Sequence, residues 1–373
     1  MEQQRTTEVI ETVETAPGVF GAELQVYVAG EHLPGADEER DPSTSSGQIS
    51  AGSALVPLRQ LSNEEILARF VAWMRLDVAD GQASEATIRG YFGDVRQHLG
   101  WLDEVGLTPA QAGEEDLKGY RAWLVGEYAT STAGRKLVSV RRFYEMAYAR
   151  GLLAENPAAG LRAPKDRTAR HERVKWLPVP VLVRLLESPH PEKPKGIRDR
   201  AILRLMVHHG LRVVEVQRLS LEDVDFEAGD EGTLRVFGKR DKWRTIYLTP
   251  RTRYVLERWL AVRDLVKPND PAVFVSLHWS RDPDRAGAGT RMSRRGIRGM
   301  VDGYLEAIGA KRPGVSCHAL RHSHGTWAYA QQKDIIALAR EMGHASTTTT
   351  EVYADVVSMI EANPAKYLDE LFG

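Results

Sequence analysis

From Leu61 to Arg150 the apolar residues return every three or four positions, in four stretches separated by short polar breaks. That spacing lines one face of an α-helix and cannot line one face of a strand, whose period is two. Ser62 with Glu65 reads as a capping box opening the first helix. Its inward face is Ile66, Phe70, Val71 and Met74. The second helix starts near Ser84 and carries Ile88, Phe92, Val95, Leu99 and Leu102. The third spans about 114–128 with Leu117, Tyr120 and Leu124; the fourth spans about 132–150 with Leu137, Val140, Tyr144 and Ala147. Four amphipathic helices on short loops predict a compact all-α domain over residues 61–160. Asn156-Pro157 ends the pattern, and LRAPKDRTARHER reads as an exposed basic linker over 161–175.

A second domain is expected over 176–373. Helical spacing recurs near 179–187, 198–209, 250–266, 293–308, 318–330 and 334–342. Thr249 is a natural N-cap with Pro250 at the first helical position, and Gly343 a natural C-cap. Between them, residues 234–237 and 245–248 alternate as strands do, around a turn at Lys239–Lys242. The expected fold class is mainly α with a small antiparallel β-sheet: a helical domain followed by an α+β domain.

Net charge is only −1, from 50 Lys and Arg against 51 Asp and Glu, yet the charges are not mixed evenly. Residues 1–60 carry ten acids and three bases, a net of −7; the rest hold 47 bases and 41 acids, a net of +6. The first 60 residues, rich in Gly, Ser, Pro and acids, read as a flexible acidic tail. The stretch 131–173 has ten bases against four acids, the composition of a phosphate-contact surface. One cysteine, Cys317, excludes a disulfide framework and a cysteine-built zinc site. No apolar run approaches the roughly 20 residues of a membrane span, and the acidic N-terminus is no secretory signal. The expected compartment is the cytoplasm, with no membrane partner.

Taken singly, the chemical motifs of the second domain are weak. CHALRHSH places His318 and His322 at i, i+4, which suits zinc, but no carboxylate ligand stands nearby. Arg321-His322 followed by Ser323 is a poor phosphatase motif. Neither a Walker A loop nor a GxGxxG opening a helix is present, so no nucleotide cofactor is signalled. His208, His209, His322 and His324 read as packing or capping residues.

Order and spacing say more. GLRVVEV at 210–216, GKRDK at 238–242, HALRH at 318–322 and GHASTTTTEVY at 343–353 together resemble the tyrosine recombinases, the phage-integrase type of site-specific recombinase. The helical domain, with RKLVSVRRFY and the ENPA exit, resembles that family's core-binding domain. The resemblance implies six catalytic residues: Arg212, Lys239, His318, Arg321, His344 and Tyr353. Arg212 and Arg321 match the pair that holds one phosphate, Tyr353 the nucleophile, and Lys239 the leaving-group acid, with Lys242 as a substitute. His318 matches a general acid/base, His344 a phosphate ligand, and Glu215 a supporting acid that orients the cluster. Two arginines and a lysine supply the positive charge, so neither metal nor cofactor is expected.

The partner implied is double-stranded DNA carrying specific sites, cleaved and rejoined through a 3′-phosphotyrosyl bond and a Holliday junction on a homotetramer. An accessory directionality factor is compatible with this. Candidate DNA contacts are Arg135, Lys136, Arg141 and Arg142 on the fourth helix, Arg240 and Lys242 at the hairpin, and Arg291, Arg294, Arg295 and Arg298 at i, i+3, i+4, i+7 opening a later helix. Trp243 suits either DNA contact or packing. The apolar positions after Tyr353 suit docking on a neighbouring protomer. The alternatives are a type IB topoisomerase, which shares this chemistry, and a catalytically dead DNA-binding regulator. The core-binding-like domain and short tail oppose the first, and the complete six-residue set opposes the second.

Overall fold

The structure, a computed structural model, describes residues 56–79, 81–238, 242–277, 287–344, 346–361 and Phe372. The acidic stretch 1–55, the hairpin residues Lys239 and Arg240, and the tail positions Tyr367, Leu368 and Leu371 lie outside the described residues. The chain divides between Asp166 and Arg167 into two compact units.

Among the described residues the first unit holds four α-helices: α1 (Asn63–Leu76), α2 (Glu85–Glu104), α3 (Glu114–Glu127) and α4 (Thr130–Ala149). The Ser62–Glu65 capping box forms as the sequence indicates. The inward faces make one core, with Phe70, Leu102, Tyr120, Leu124, Leu137 and Tyr144 fully buried. Leu161 packs into this core, and Val174 is buried in the second unit. The exposed connection is therefore shorter than the 161–175 read from its charges, because both its ends carry an apolar anchor.

The second unit opens with α5 (Arg170–Arg173), α6 (Val179–Glu187), α7 (Pro194–His208) and the short α8 (Val213–Arg218). An antiparallel sheet of order β1-β2-β3 follows: β1 (Val224–Asp225), β2 (Thr233–Phe237) and β3 (Trp243–Tyr247). The hairpin pairs Phe237 with Trp243 and closes through Gly238 N–H donating to the Lys242 carbonyl at 2.8 Å. Then come α9 (Pro250–Arg263), α10 (Arg294–Ala307), α11 (Cys317–Gln332), α12 (Ile335–Met342) and α13 (Glu351–Glu361). Thr249 caps α9, and Gly343 ends α12 in the left-handed region at φ 65°. The main core is built on α7, whose Leu205 is buried together with Trp259, Phe274 and Leu320. A smaller cluster of Val174, Leu338, Met342, Tyr353 and Val356 fixes α13 beside α11 and α12. Among the described residues no helix is long and apolar enough to cross a membrane.

Candidate active site

Arg212 is the N-cap of α8, and Glu215 sits one turn later. The Glu215 carboxylate is 1% exposed and fully engaged. Its Oε2 accepts from the Arg212 backbone N–H at 2.8 Å, and its Oε1 from the Arg212 guanidinium at 2.9 Å. Arg244, from β3, donates to both oxygens at 2.9 and 3.0 Å and, through Nε, to the Glu341 carbonyl at 3.0 Å. Burial works against the charged carboxylate, but Arg244 and Arg212 prevail and hold Glu215 below the usual carboxylate range. Sequence reasoning had missed Arg244, an ordinary-looking strand residue that fixes Glu215 from the opposite side.

Arg321 lies on α11, 5% exposed. Its guanidinium donates to the Gly210 carbonyl at 2.5 Å and to the Met342 carbonyl at 2.6 Å, and meets His344 Nε2 at 2.9 Å. Met342 also accepts from Arg212 at 3.4 Å, so a single carbonyl tethers both arginines. Gly210 adopts φ 60°, in the region that favours glycine, which lets the chain turn from α7 into Arg212 while offering that carbonyl. An arginine has only donors, so His344 Nε2 is the acceptor and its Nδ1–H donates to Thr350 Oγ1 at 2.8 Å. Burial, then the charges of Arg321 and Arg212, depress the His344 pKa to about 4. Burial and Arg212 likewise pull Arg321 down to about 10. A guanidinium whose protonation is weakened by a second one beside it describes a site built to receive an anion.

Tyr353, on α13, is 2% exposed. Burial pushes its phenol up, while Arg321 and Arg212 pull it back. The ring lies over Gly325 of α11 so closely that a Cβ there would stand 2.4 Å from Cζ. The hydroxyl is 3.1 Å from His322 Nδ1. His322 is therefore no mere packing residue, as the sequence suggested. His318, one turn earlier, is exposed and borders a cleft of about 610 Å³ lined also by Arg298, Lys311 and Arg312. Burial and the Arg298, Arg321 and Arg212 charges lower the His318 pKa. Among the described residues no three His, Cys, Asp or Glu side chains converge as a metal ligand set.

Four of the six expected catalytic residues, Arg212, Arg321, His344 and Tyr353, thus share one cluster with Glu215, and His318 joins its rim. Lys239 and Arg240 fall outside the described residues. Lys242 is exposed; Trp243 is 55% exposed, with Arg235 stacked 5.0 Å from its ring centroid.

The basic candidates divide. Arg294, Arg295 and Arg298 stand exposed on α10, and Arg141 and Arg142 on α4. Arg142 pairs with Glu145 at 2.9 Å. Arg291 is a correction: it precedes the N-cap Ser293 and so is not on the helix. Its guanidinium is spent on the Gln217 and Leu219 carbonyls, Ser220 and Asp270, at 2.9–3.1 Å. Arg135 and Lys136 are tied to the buried carboxylate of Asp94, which Ser139 also bonds at 2.8 Å. These two bases neutralise a core acid that the charge count did not reveal.

Comparison with known proteins agrees with the fold. The pattern of the phage integrase family matches residues 175–358, and that of its N-terminal SAM-like domain matches residues 72–151. The tyrosine recombinase XerC of Pelobacter propionicus is 31% identical over 277 residues, covering 73% of this chain and 85% of that protein. The XerC of Vibrio parahaemolyticus is 30% identical over 295 residues, 78% of this chain and 88% of that one. In three dimensions the chain resembles the XerH site-specific recombinase bound to palindromic difH substrate in a post-cleavage complex. The TM-score is 0.65 at 18% identity, covering 84% of this chain and 99% of that one. It also resembles a lambda integrase dimer bound to a COC′ core site, with TM-score 0.59 at 16% identity over 79% of this chain and 78% of that one. The architecture is that of the site-specific recombinases. The chain belongs to the tyrosine recombinase family and is a tyrosine-type site-specific recombinase.

Proposed function

We propose that this protein cleaves and rejoins duplex DNA at specific sites, with Tyr353 as the nucleophile. The observation that carries this reading is the tethering of two arginines on one shared carbonyl, that of Met342, beside a buried tyrosine. Phosphodiester cleavage is among the slowest uncatalysed reactions, and its transition state gathers charge on the non-bridging oxygens. Arg212 and Arg321 arrive without reorganisation, because Glu215, Gly210 and Met342 already hold them. His344 presents a neutral ring, held by Thr350, next to Arg321 and the phosphate it binds. Tyr353 Oη attacks phosphorus, a 3′-phosphotyrosyl bond forms, and the bond to the 5′ oxygen breaks. Lys239 protonates that leaving oxygen. The covalent bond conserves the phosphodiester energy, so rejoining needs no nucleotide triphosphate.

Paired exchanges of this kind proceed through a Holliday junction on a homotetramer, in the cytoplasm, where an accessory factor sets direction. The XerC relatives and the DNA-bound neighbours support the choice of DNA as partner. The test is a nicked suicide substrate carrying the candidate site, incubated in EDTA with the wild type and with Tyr353→Phe. A covalent protein–DNA adduct from the wild type alone is expected. Adduct that vanishes on chelation, or none with any site from the neighbouring genome, overturns the reading.

A further inference from the structure

We propose that His322 is the proton acceptor for Tyr353: its Nδ1 holds the phenol hydroxyl in cleavage and returns the proton in rejoining. This rests on Tyr353 being the nucleophile. Among the described residues, the Tyr353 hydroxyl has one hydrogen-bond partner, His322 Nδ1, at 3.1 Å. The rings are 6.0 Å apart by centroid and tilted at 57°. His318, the base that the motif order favours, is exposed and makes no hydrogen bond to Tyr353 among the described contacts.

The groups facing the His322 ring are His318 and Arg321 on its own helix, Tyr353 on α13, and His344 after α12. Burial and the charges of His318 and Arg321 keep the imidazole neutral, with a pKa near 4, so an acceptor lone pair is present at physiological pH. A phosphate seated on Arg212 and Arg321 offsets the positive field that opposes protonating the ring. Gly325 complements the contact: with no Cβ it lets the tyrosine ring lie against α11, where His322 waits three residues earlier.

The step balances. The Tyr353 Oη–H proton passes to His322 Nδ1, the Oη–P bond forms, and the P–O5′ bond breaks with a proton from a separate acid, Lys239 in the reading above. In rejoining the 5′ hydroxyl attacks, the phenolate leaves, and His322 gives the proton back.

The experiment uses the full chain and a nicked duplex with sulfur at the bridging 5′ position, whose thiolate leaves without a proton. This removes any role in leaving-group protonation. Single-turnover cleavage, DNA affinity and thermal stability are followed for wild type, His322→Ala, His322→Asn and Tyr353→Phe. His322→Ala is expected to cleave about 10²–10⁴-fold more slowly near about pH 7, with unchanged affinity. Its rate should climb roughly tenfold per pH unit toward about pH 9, because the phenol must then lose its proton to solvent. The wild type should be flat over that range. His322→Asn keeps an acceptor in place but takes no proton, so it should stay slow and pH-dependent. An undiminished rate, a flat profile in His322→Ala, full activity in His322→Asn, or full rescue by the sulfur substrate would each overturn the proposal. Adduct from Tyr353→Phe would instead overturn the nucleophile assignment beneath it.

Discussion

Gly325 and Arg244 show how much of the site depends on residues that do no chemistry. A methyl at Gly325 would press into the Tyr353 ring at 2.4 Å, with the α11 backbone behind it, so the ring is what must move. Misplacing a reacting group by about 1 Å costs on the order of 10²-fold. Gly325→Ala should therefore lose about that much cleavage while binding DNA normally, read as adduct per unit time against a gel-shift titration. Arg244 is different. Removing it strips Glu215, 1% exposed, of two of its four hydrogen bonds. Breaking a buried pair from one side costs about 3–5 kcal/mol. Arg244→Ala should lower the denaturation midpoint as well as activity, whereas Gly325→Ala should mainly lower activity. Motif order pointed to Arg212, Arg321, His344 and Tyr353, which the structure gathers around Glu215, because each carries a reactive side chain at a recognisable spacing. Neither Gly325 nor Arg244 was legible in this way, and nor was His322. Their roles come from contacts 28 to 31 residues away in sequence, which no local pattern records.

At the level of elements, periodicity predicted most helices to within a few residues, since one buried face decides each. The short α8 and the two-residue β1 escaped, because neither is long enough to show a period. Charge patterning was the poorer guide. Arg291, Arg294, Arg295 and Arg298 look equivalent on a helical wheel, yet the cap at Ser293 excludes Arg291, and four polar partners consume it. The distinction is measurable. Each phosphate contact contributes about 0.9 to the slope of log affinity against log salt for duplex DNA. Arg294→Ala and Arg295→Ala, combined, should flatten that slope by up to about 2. Arg291→Ala should leave the slope unchanged and destabilise the fold, because it orphans the Gln217 and Leu219 carbonyls. Equal slopes for both variants would remove α10 as a phosphate-contact face. The same logic separates Arg141, exposed on α4, from Lys136, which answers to Asp94, and from Arg135, which is exposed but also paired with Asp94.

Across the whole molecule the two units differ in how they meet acid. Five buried or part-buried histidines of the second unit have depressed pKa values, His208, His209, His322 and His344 near 4 and His324 near 3, and that of the exposed His318 is lowered too. Burial is the first cause for each, and repulsion from a neighbouring arginine or histidine is the second. Among the described residues the first unit has one such residue, His98, also near 3. A histidine whose folded pKa lies below its free value of about 6.5 binds more protons unfolded than folded. Its contribution to stability is therefore intact above about pH 6.5 and drains away as pH falls toward the folded value. The cost is at most about 1.4 kcal/mol per pH unit for each site, and less for the part-exposed His208, His322 and His344. Glu341 stands 3.9 Å from His209 and 3.8 Å from His324, too far for a hydrogen bond, and burial raises its own pKa, so it gives them little relief. The count of sites then decides the order of unfolding. Acidification from about pH 7 to pH 5 should loosen the second unit first, beginning where Gly210 and Met342 hold Arg321. Hydrogen exchange on the full chain, read peptide by peptide, should show protection falling in α7, α11 and α12 while α2 and α4 stay protected. Parallel loss in both units would mean that these histidines do not govern acid stability.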